Sequence, residues 1–157
     1  MEYQFYSTPL GLLQICADNR TIKSISFTDD SKEPLKLSST HSTLLTECVN
    51  QLDEYFRGVR RLFDLPLEFS GTEFQKRVWC ELSKIPFGEV RSYKQIASAL
   101  GNPKSVRAVG AANHKNPLVI IVPCHRVIGS DGSLIGYGGG IWRKQWLLNH
   151  ERNLFNR

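Results

Sequence analysis

The spacing of apolar residues predicts that the chain begins with β-strands. Tyr3 and Phe5 alternate with polar residues, and apolar runs at 12–17 and 21–27 flank the polar tripeptide at 18–20. Alternation, and short apolar runs separated by a turn, are typical of strands joined as a hairpin. We therefore expect a small group of paired strands before the first helix.

One helix and a domain boundary are predicted next. Apolar side chains recur three and four residues apart over 44–56, and Gly58 is suited to the left-handed position that follows a helix. A short strand is expected near 62–67, just before Ser70-Gly71. Placing the boundary there makes residues 1–70 a small α/β domain.

The second half of the chain has the pattern of a helix-turn-helix. Ser/Thr-x-x-Gln sequences at 72–75 and 92–95 fit capping boxes, in which two side chains satisfy the first backbone groups of a helix. Helical spacing over 93–100 ends at the Gly-Asn-Pro turn 101–103, and a further helix is predicted at 104–113. Two short helices joined by a tight turn are typical of DNA-binding domains.

The helix predicted at 104–113 has two unlike faces when its residues are spaced at 100°. The inward face is expected to carry Val106, Val109, Gly110 and Asn113. The outward face has basic residues at its edges and small residues in its middle, namely Lys104, Arg107, Ala108, Ala111 and Lys115. Small residues allow close approach to a DNA groove and cations bind phosphates, so we predict a recognition helix. The alternative is a solvated charged face.

An apolar run at 118–122 leads directly to the residues that are best suited to take part in a reaction. Its length and β-branched content predict a short buried strand, and Pro123 then turns the chain out of the sheet. Cys124 and His125 follow, and a cysteine becomes a nucleophile when its thiolate is stabilised. The glycine-dense stretch 129–140 allows close approach of a ligand to the backbone.

A carboxylate in the last predicted helix, 141–152, is a candidate partner for His125. Glu151 lies one turn from Leu147 on an apolar flank, from which it could orient the imidazole so that His125 deprotonates the cysteine. The alternative for Glu151 is a surface ion pair with Lys144. The sequence alone leaves both readings open.

Charge is distributed unevenly along the chain. Residues 1–70 hold 7 basic and 10 acidic side chains, and residues 71–157 hold 13 and 5, so the net charges are −3 and +8. The basic half also contains the reactive cysteine. A polyanion is the natural partner of such a domain, and nucleic acid is the commonest polyanion. The alternative is a basic surface that serves only solubility.

Cysteine usage and hydropathy exclude several classes of protein. The 4 cysteines are widely separated and form no Cys-x-x-Cys pair, which argues against a zinc site or a disulfide framework and for reduced thiols in the cytoplasm. No apolar run approaches the roughly 20 residues that span a bilayer, and no secretory leader is visible. We therefore expect a cytoplasmic protein without a metal, a cofactor or a membrane partner.

These motifs together resemble the O6-alkylguanine-DNA alkyltransferases, which repair DNA by direct reversal. The resemblance covers residues 74–151 and is carried by the Pro-Cys-His-Arg-Val sequence at 123–127, the upstream helix-turn-helix, and the downstream Gly136-Tyr137 and Glu151. It implies an α+β fold. A small ribonuclease-H-like α/β domain at 1–70 would precede a mostly helical domain at 71–157, with a winged-helix-like helix-turn-helix and a short buried strand leading to the active-site cysteine.

The resemblance also implies catalytic roles. Cys124 would accept the alkyl group, and His125 with Glu151 would form the water-mediated relay that ionises it. Asn116 would brace the turn that holds the active-site loop. Tyr93 would press on the target phosphate and lie near the guanine ring.

Further residues are implied for DNA binding and for the substrate pocket. Arg107 would enter the base stack and fill the gap left by a flipped nucleotide. The other DNA contacts implied are Lys104, Ala108, Ala111, Lys115, Ser92, Tyr93 and Arg126. The pocket would be lined by Tyr93, Val127, Tyr137 and Gly138, and the carbonyls of Cys124 and Val127 would accept from the guanine exocyclic amine. Gly138 stands where some members carry Ser, which leaves room for bulkier adducts.

The implied reaction is a single irreversible transfer. Duplex DNA containing O6-alkylguanine would be the partner, with O4-alkylthymine as a second substrate, and the protein would act as a monomer without an obligate protein partner. Two alternatives stay open. One is a binding module, either a regulator that senses alkylation or a lesion-flagging protein, although lesion-binding relatives lack the cysteine. The other is a cysteine hydrolase, against which the basic half-domain weighs.

Overall fold

The computed structural model describes residues 1–28 and 42–155, and the chain forms two compact units, Met1–Phe69 and Ser70–Arg157. Each unit has its own apolar core. The described part of the chain includes no helix that is both long enough and apolar enough to cross a membrane.

The first unit is a three-stranded antiparallel sheet with one helix. Its strands are β1 (Glu2–Thr8), β2 (Gly11–Ala17) and β3 (Ile22–Thr28), in the order β1-β2-β3, and its helix is α1 (Thr43–Phe56). The predicted hairpin and helix are confirmed. The predicted strand at 62–67 is wrong, because that segment contributes only an isolated parallel bridge to the sheet.

The turn between β2 and β3 forms because Asp18 satisfies the local backbone. Its Oδ1 accepts hydrogen bonds from the N–H groups of Arg20 at 2.8 Å and Thr21 at 2.7 Å. Aspartate favours turns for this reason, since its short side chain replaces backbone partners that the sheet cannot supply. The inward residues Leu13 and Ile15 of β2 and Ile22 and Ile25 of β3 are then fully buried.

The second unit is mainly helical, as predicted. Its elements are α2 (Glu73–Leu82), β4 (Arg91–Ser92), α3 (Tyr93–Ala99), α4 (Val106–His114), β5 (Val127–Ile128) and α5 (Ile141–Phe155). The strands β4 and β5 pair in parallel over two residues. Both capping boxes are present, and in each the Gln side chain accepts from the backbone N–H of the cap residue at 2.9 Å. This pattern therefore located two helix starts correctly.

Helices α3 and α4 form the predicted helix-turn-helix, with Gly101 in the left-handed region at φ 79° between them. The basic and small residues predicted for the outward face of α4 are exposed, namely Lys104, Arg107, Ala108, Ala111 and Lys115. Val109 and Asn113 are buried as expected. Val106 differs from its predicted inward position and is 37% exposed, because it begins the helix beside an exposed turn.

The segment 118–122 is not the strand that its apolar run predicts. The Val122 N–H donates to the Leu118 carbonyl at 2.9 Å, which closes a turn, and Ile120 has a φ of 72°, rare for a β-branched residue. The side chain of Asn116 bonds both the Leu118 N–H and the Val122 carbonyl, so the backbone is satisfied without a sheet. The apolar run correctly indicated burial, because the braced turn buries Leu118, Ile120 and Val122 without forming a strand.

Candidate active site

Cys124 begins a single turn of 3-10 helix that also contains His125 and Arg126. The turn follows Pro123 and ends at β5, so the braced turn holds it on one side and the short parallel pair on the other. The Cys124 side chain lies in the interior, with only 3% of the residue exposed. A thiol that is buried to this extent can react only with a group that reaches it inside the protein.

A buried ion-pair network lies directly beside the cysteine. The Nε2 atom of His125 is 2.6 Å from Oε2 of Glu151, and Arg126 donates to both oxygens of the same carboxylate, from Nε at 2.7 Å and from a terminal nitrogen at 3.0 Å. The Gly88 N–H adds a fourth hydrogen bond at 3.2 Å. Glu151 is 1% exposed, and its carboxylate is therefore compensated entirely by protein groups.

This network determines the protonation of the imidazole. Burial alone would raise the pKa of Glu151, but the attraction and hydrogen bonds of His125 and Arg126 outweigh it and hold that pKa well below its usual range. Burial lowers the pKa of His125, despite the opposing pull of Glu151, and this favours the neutral imidazole. Its Nε2–H donates to the carboxylate. Nδ1 has no hydrogen-bond partner among the described residues and can accept a proton.

The cysteine itself rests as a thiol. Burial raises the pKa of Cys124 to about 11, although Asn116 and the charge of Lys144 act in the opposite direction. The ammonium of Lys144 is also buried, donates to the Ile135 carbonyl at 3.0 Å, and lies 3.4 Å from the Tyr93 hydroxyl. Burial lowers the pKa of Lys144 to about 8. The charge of the Lys144 ammonium thus favours the thiolate.

The residues predicted for the pocket differ in how far they are exposed to solvent. Tyr137 is 6% exposed, and its hydroxyl has no hydrogen-bond partner among residues 1–28 and 42–155. Tyr93 is half-buried and donates to the Ile135 carbonyl at 2.7 Å, and Val127 is fully buried. Gly138 is exposed, and an added Cβ would lie 3.5 Å from the nearest backbone oxygen, which is ordinary van der Waals contact.

Two sequence-based assignments need correction. Arg126, predicted to contact DNA, is 6% exposed and is the bidentate partner of Glu151, because an unpaired carboxylate could not be buried there. The alternative pairing of Glu151 with Lys144 is also wrong, since Lys144 bonds Ile135 and Tyr93. Ser92 is partly buried, and its hydroxyl accepts from the Gln95 N–H to cap α3.

Sequence reasoning missed two residues at the site. They are Lys144 and Asn113, whose side-chain Nδ2 donates to the Cys124 carbonyl at 3.3 Å. Lys144, Leu147, Leu148 and Glu151 are spaced as one helical stripe, and all four are buried. Two charged residues within an apolar stripe were the available signal, because such positions are buried only when a partner exists. Asn113 falls among the apolar residues on the inward face of α4, and the same signal applies to it.

Comparisons with known proteins agree with this geometry. Residues 73–153 match the family model described as 6-O-methylguanine DNA methyltransferase, DNA binding domain, and residues 1–69 match the ribonuclease-like domain of the same proteins. A methylated-DNA--protein-cysteine methyltransferase of Mycolicibacterium paratuberculosis is 45% identical over 97% of this chain and 93% of its own length. One of Methanosarcina barkeri is 42% identical over 98% of both chains.

A solved structure extends the similarity to three dimensions. The crystal structure of Mycobacterium tuberculosis OGT in complex with DNA has a TM-score of 0.88 and 42% identity, covering 98% of this chain and 94% of that one. The resemblance inferred from the sequence motifs is confirmed. This chain belongs to the 6-O-methylguanine DNA methyltransferase family.

Proposed function

We propose that this protein repairs O6-alkylguanine in duplex DNA by moving the alkyl group irreversibly to the sulfur of Cys124. The observation that carries the proposal is the buried cysteine followed by a His125–Glu151 pair whose free ring nitrogen can accept a proton. Family membership supports transfer over the hydrolase alternative. The basic outward face of α4 supplies the surface for duplex DNA.

The proton path begins at the thiol. Nδ1 of His125 takes the Cys124 proton, directly or through a water, while Nε2–H stays bonded to Glu151, and the nearby Lys144 ammonium stabilises the thiolate. The sulfur then attacks the alkyl carbon as the carbon–oxygen bond breaks and its electron pair passes to O6. The guanine ring gains a proton at N1, so the thiol hydrogen and the alkyl group have exchanged places.

The product explains why each molecule would act once. A thioether has no carbonyl that water can attack, unlike the thioester of a cysteine hydrolase. No residue of the site provides a route back to the thiol. The expected stoichiometry is therefore one alkyl group for each protein molecule.

The target oxygen lies on a base edge inside the duplex, so the nucleotide must be flipped out. We assign the filling of the resulting gap to Arg107, which is exposed on α4, and the phosphate contacts to Lys104 and Lys115 at its ends. Tyr93 and Tyr137 would wall the pocket, and Asn116 would hold the turn that carries the cysteine. O4-alkylthymine is proposed as a second substrate.

We also propose that the protein acts as a monomer in the cytoplasm, with no obligate protein partner. One chain carries both the DNA-binding face and the acceptor thiol. The reaction needs a reduced cysteine, and the four cysteines of the chain are all free.

Intact-protein mass after mixing with excess duplex carrying one O6-methylguanine tests the proposal. We expect one added methyl group per protein and no more, located on Cys124 by peptide mapping. Undamaged duplex of the same sequence is the control. A protein that binds the damaged duplex and keeps its original mass would establish the lesion-binding alternative instead.

Replacing Arg107 by alanine should slow the flipping of the nucleotide without slowing the transfer of the alkyl group. We expect repair of duplex O6-methylguanine to slow by about tenfold or more, because the flipped state costs a few kcal/mol that this side chain helps to offset. Reaction with the free base O6-benzylguanine should hardly change, since a free base needs no flipping. Arg152→Ala, an exposed arginine on α5, is the matched control. Equal slowing on both substrates would contradict the assigned role.

A further inference from the structure

Ile120 occupies the centre of a strained three-residue turn. The Ile121 N–H donates to the Val119 carbonyl at 2.8 Å, and Ile120 between them has a φ of 72°. This combination is typical of the classic γ-turn, a rare and strained form, whereas the common inverse form has a negative φ. A β-branched side chain makes a positive φ more costly still. Glycine, which has no Cβ, would adopt this backbone without that cost.

The burial of the Ile120 side chain explains how the chain tolerates this conformation. Ile120 is 1% exposed, and Leu118 and Val122, two positions before and after it, are fully buried. Burying an isoleucine side chain stabilises a protein by a free energy of the same order as the cost of such a strained backbone. The side chain therefore holds the backbone in a conformation that isoleucine disfavours by itself.

One carbonyl group connects the strained turn to the nucleophile. The Val122 carbonyl accepts the Cys124 N–H at 2.8 Å, in a second three-residue turn. Its central residue, Pro123, has a φ of −83° and a ψ of 64°, which is the common inverse form. The same carbonyl accepts the side-chain amide of Asn116 at 2.7 Å. The direction of the chain after Ile120 thus determines where this carbonyl points, and the carbonyl fixes the backbone amide of the cysteine.

The position of the strain indicates a functional purpose. Among residues 1–28 and 42–155, Ile120 is the one non-glycine residue with a positive φ, and it lies four positions before the acceptor cysteine. Strained residues concentrate at functional sites, where the surrounding structure holds them in place. Positioning is demanding for a nucleophile, because a displacement of about 1 Å can slow a reaction by about a hundredfold.

We propose that Ile120 is a positioning residue for the transfer reaction, because its buried side chain holds the classic γ-turn that directs the Cys124 sulfur toward the alkyl carbon. This inference rests on the proposed function and adds a residue that acts through the backbone, without contact with the lesion. Asn116 bonds the two ends of the larger turn at 118–122. Ile120 fixes the direction of the chain between those ends.

Two replacements separate the backbone conformation from the burial of the side chain. Ile120→Ala and Ile120→Gly both remove most of the buried side chain, but only glycine adopts the positive φ without strain. Ile120→Gly should therefore unfold at a higher urea concentration than Ile120→Ala, and it should also transfer the methyl group faster. If burial alone matters, alanine should be the better replacement in both measurements.

Single-turnover transfer from duplex O6-methylguanine, with protein in excess, measures the maximal rate and the protein concentration at half-maximal rate. We expect the maximal rate to fall about tenfold or more in Ile120→Ala and about two- to threefold in Ile120→Gly. The half-maximal concentration should stay at the wild-type value, because the outward face of α4 is unchanged. A loss of folding alone would instead reduce the fraction of protein that reacts and leave the rate of the folded molecules unchanged.

Val78 supplies the matched control. It is a fully buried, β-branched residue within α2, where φ is negative. Val78→Gly should unfold at a lower urea concentration than Val78→Ala, which is the usual order inside a helix. The folded molecules of both variants should keep the wild-type maximal rate.

The proposal is overturned if Ile120→Ala matches or exceeds Ile120→Gly in stability and in rate, or if both variants keep the wild-type maximal rate. If neither variant folds, Ile120→Val replaces them, because it shortens the buried side chain by one carbon. Its maximal rate should fall about twofold or more, and an unchanged rate would contradict the role. Failure of the proposed function has a different signature, because the wild-type protein itself would then transfer no methyl group to Cys124.

Discussion

Cys124→Ala is expected to abolish methyl transfer completely while leaving the affinity for duplex DNA unchanged. The replacement removes the sulfur that forms the new bond, and no other residue of the 3-10 turn can replace a thiolate nucleophile. The outward face of α4 is untouched, so binding should persist. Transfer is measured by intact mass and binding by a gel shift with the same O6-methylguanine duplex.

The matched control is Cys80→Ala, which removes an exposed free thiol from the same unit of the chain. It should transfer one methyl group at the wild-type rate. Methylation of any other cysteine in Cys124→Ala would move the acceptor role elsewhere and remove the central claim.

Glu151→Gln should destabilise the second unit strongly. The carboxylate is 1% exposed and holds two cationic or potentially cationic groups, so removing its charge leaves the buried Arg126 guanidinium without compensation. Breaking a buried ion pair in this way reduces the free energy of unfolding by about 3–5 kcal/mol. Transfer should also slow by at least about tenfold, because His125 loses the partner that fixes its protonation.

Urea unfolding followed by tryptophan fluorescence measures this effect for the correct part of the molecule. All 3 tryptophans, at positions 79, 142 and 146, belong to the second unit. Glu89→Gln is the control, because Glu89 also pairs with an arginine, at 3.2 Å, but does so at the surface. Its unfolding midpoint should fall at the same urea concentration as that of the wild type, since exposed ion pairs contribute little to the free energy of unfolding. An unchanged midpoint for Glu151→Gln would show that the network is not a stabilising one.

The pH dependence of this difference follows from the lowered pKa of Glu151. A carboxyl group whose pKa is depressed by folding stabilises the protein above its unfolded pKa, about 4.3, and loses that contribution as the pH falls further. The gap in stability between wild type and Glu151→Gln should therefore be largest near neutral pH. It should shrink progressively below about pH 4.

Local patterns predicted the helical parts of this fold well. Each capping box identified a helix start, because its two side chains accept hydrogen bonds from backbone N–H groups at the beginning of the helix. The outward face of α4 followed from spacing alone. The segment at 118–122 failed because hydrophobicity reports burial and not backbone shape, and the deciding contact comes from Asn116, a polar residue outside the run.

The active site could be predicted less completely, for a related reason. Cys124 and His125 are adjacent, so their motif is visible in the chain. The partner of Arg126 is 25 positions away, and the amide that bonds the Cys124 carbonyl is 11 positions away on another helix. Which polar side chain is buried against which partner depends on how the helices pack, and no local spacing contains that information.

The sharing of Glu151 among distant segments has a consequence for the order of folding. The carboxylate bonds the backbone at Gly88, the Arg126 guanidinium and the His125 ring, and all of these precede it in the chain. Local contacts of the 3-10 turn therefore cannot complete the orientation of His125 until α5 has docked. We expect the acceptor site to become competent only late in the folding of the second unit, so that a partly folded molecule does not use up its cysteine.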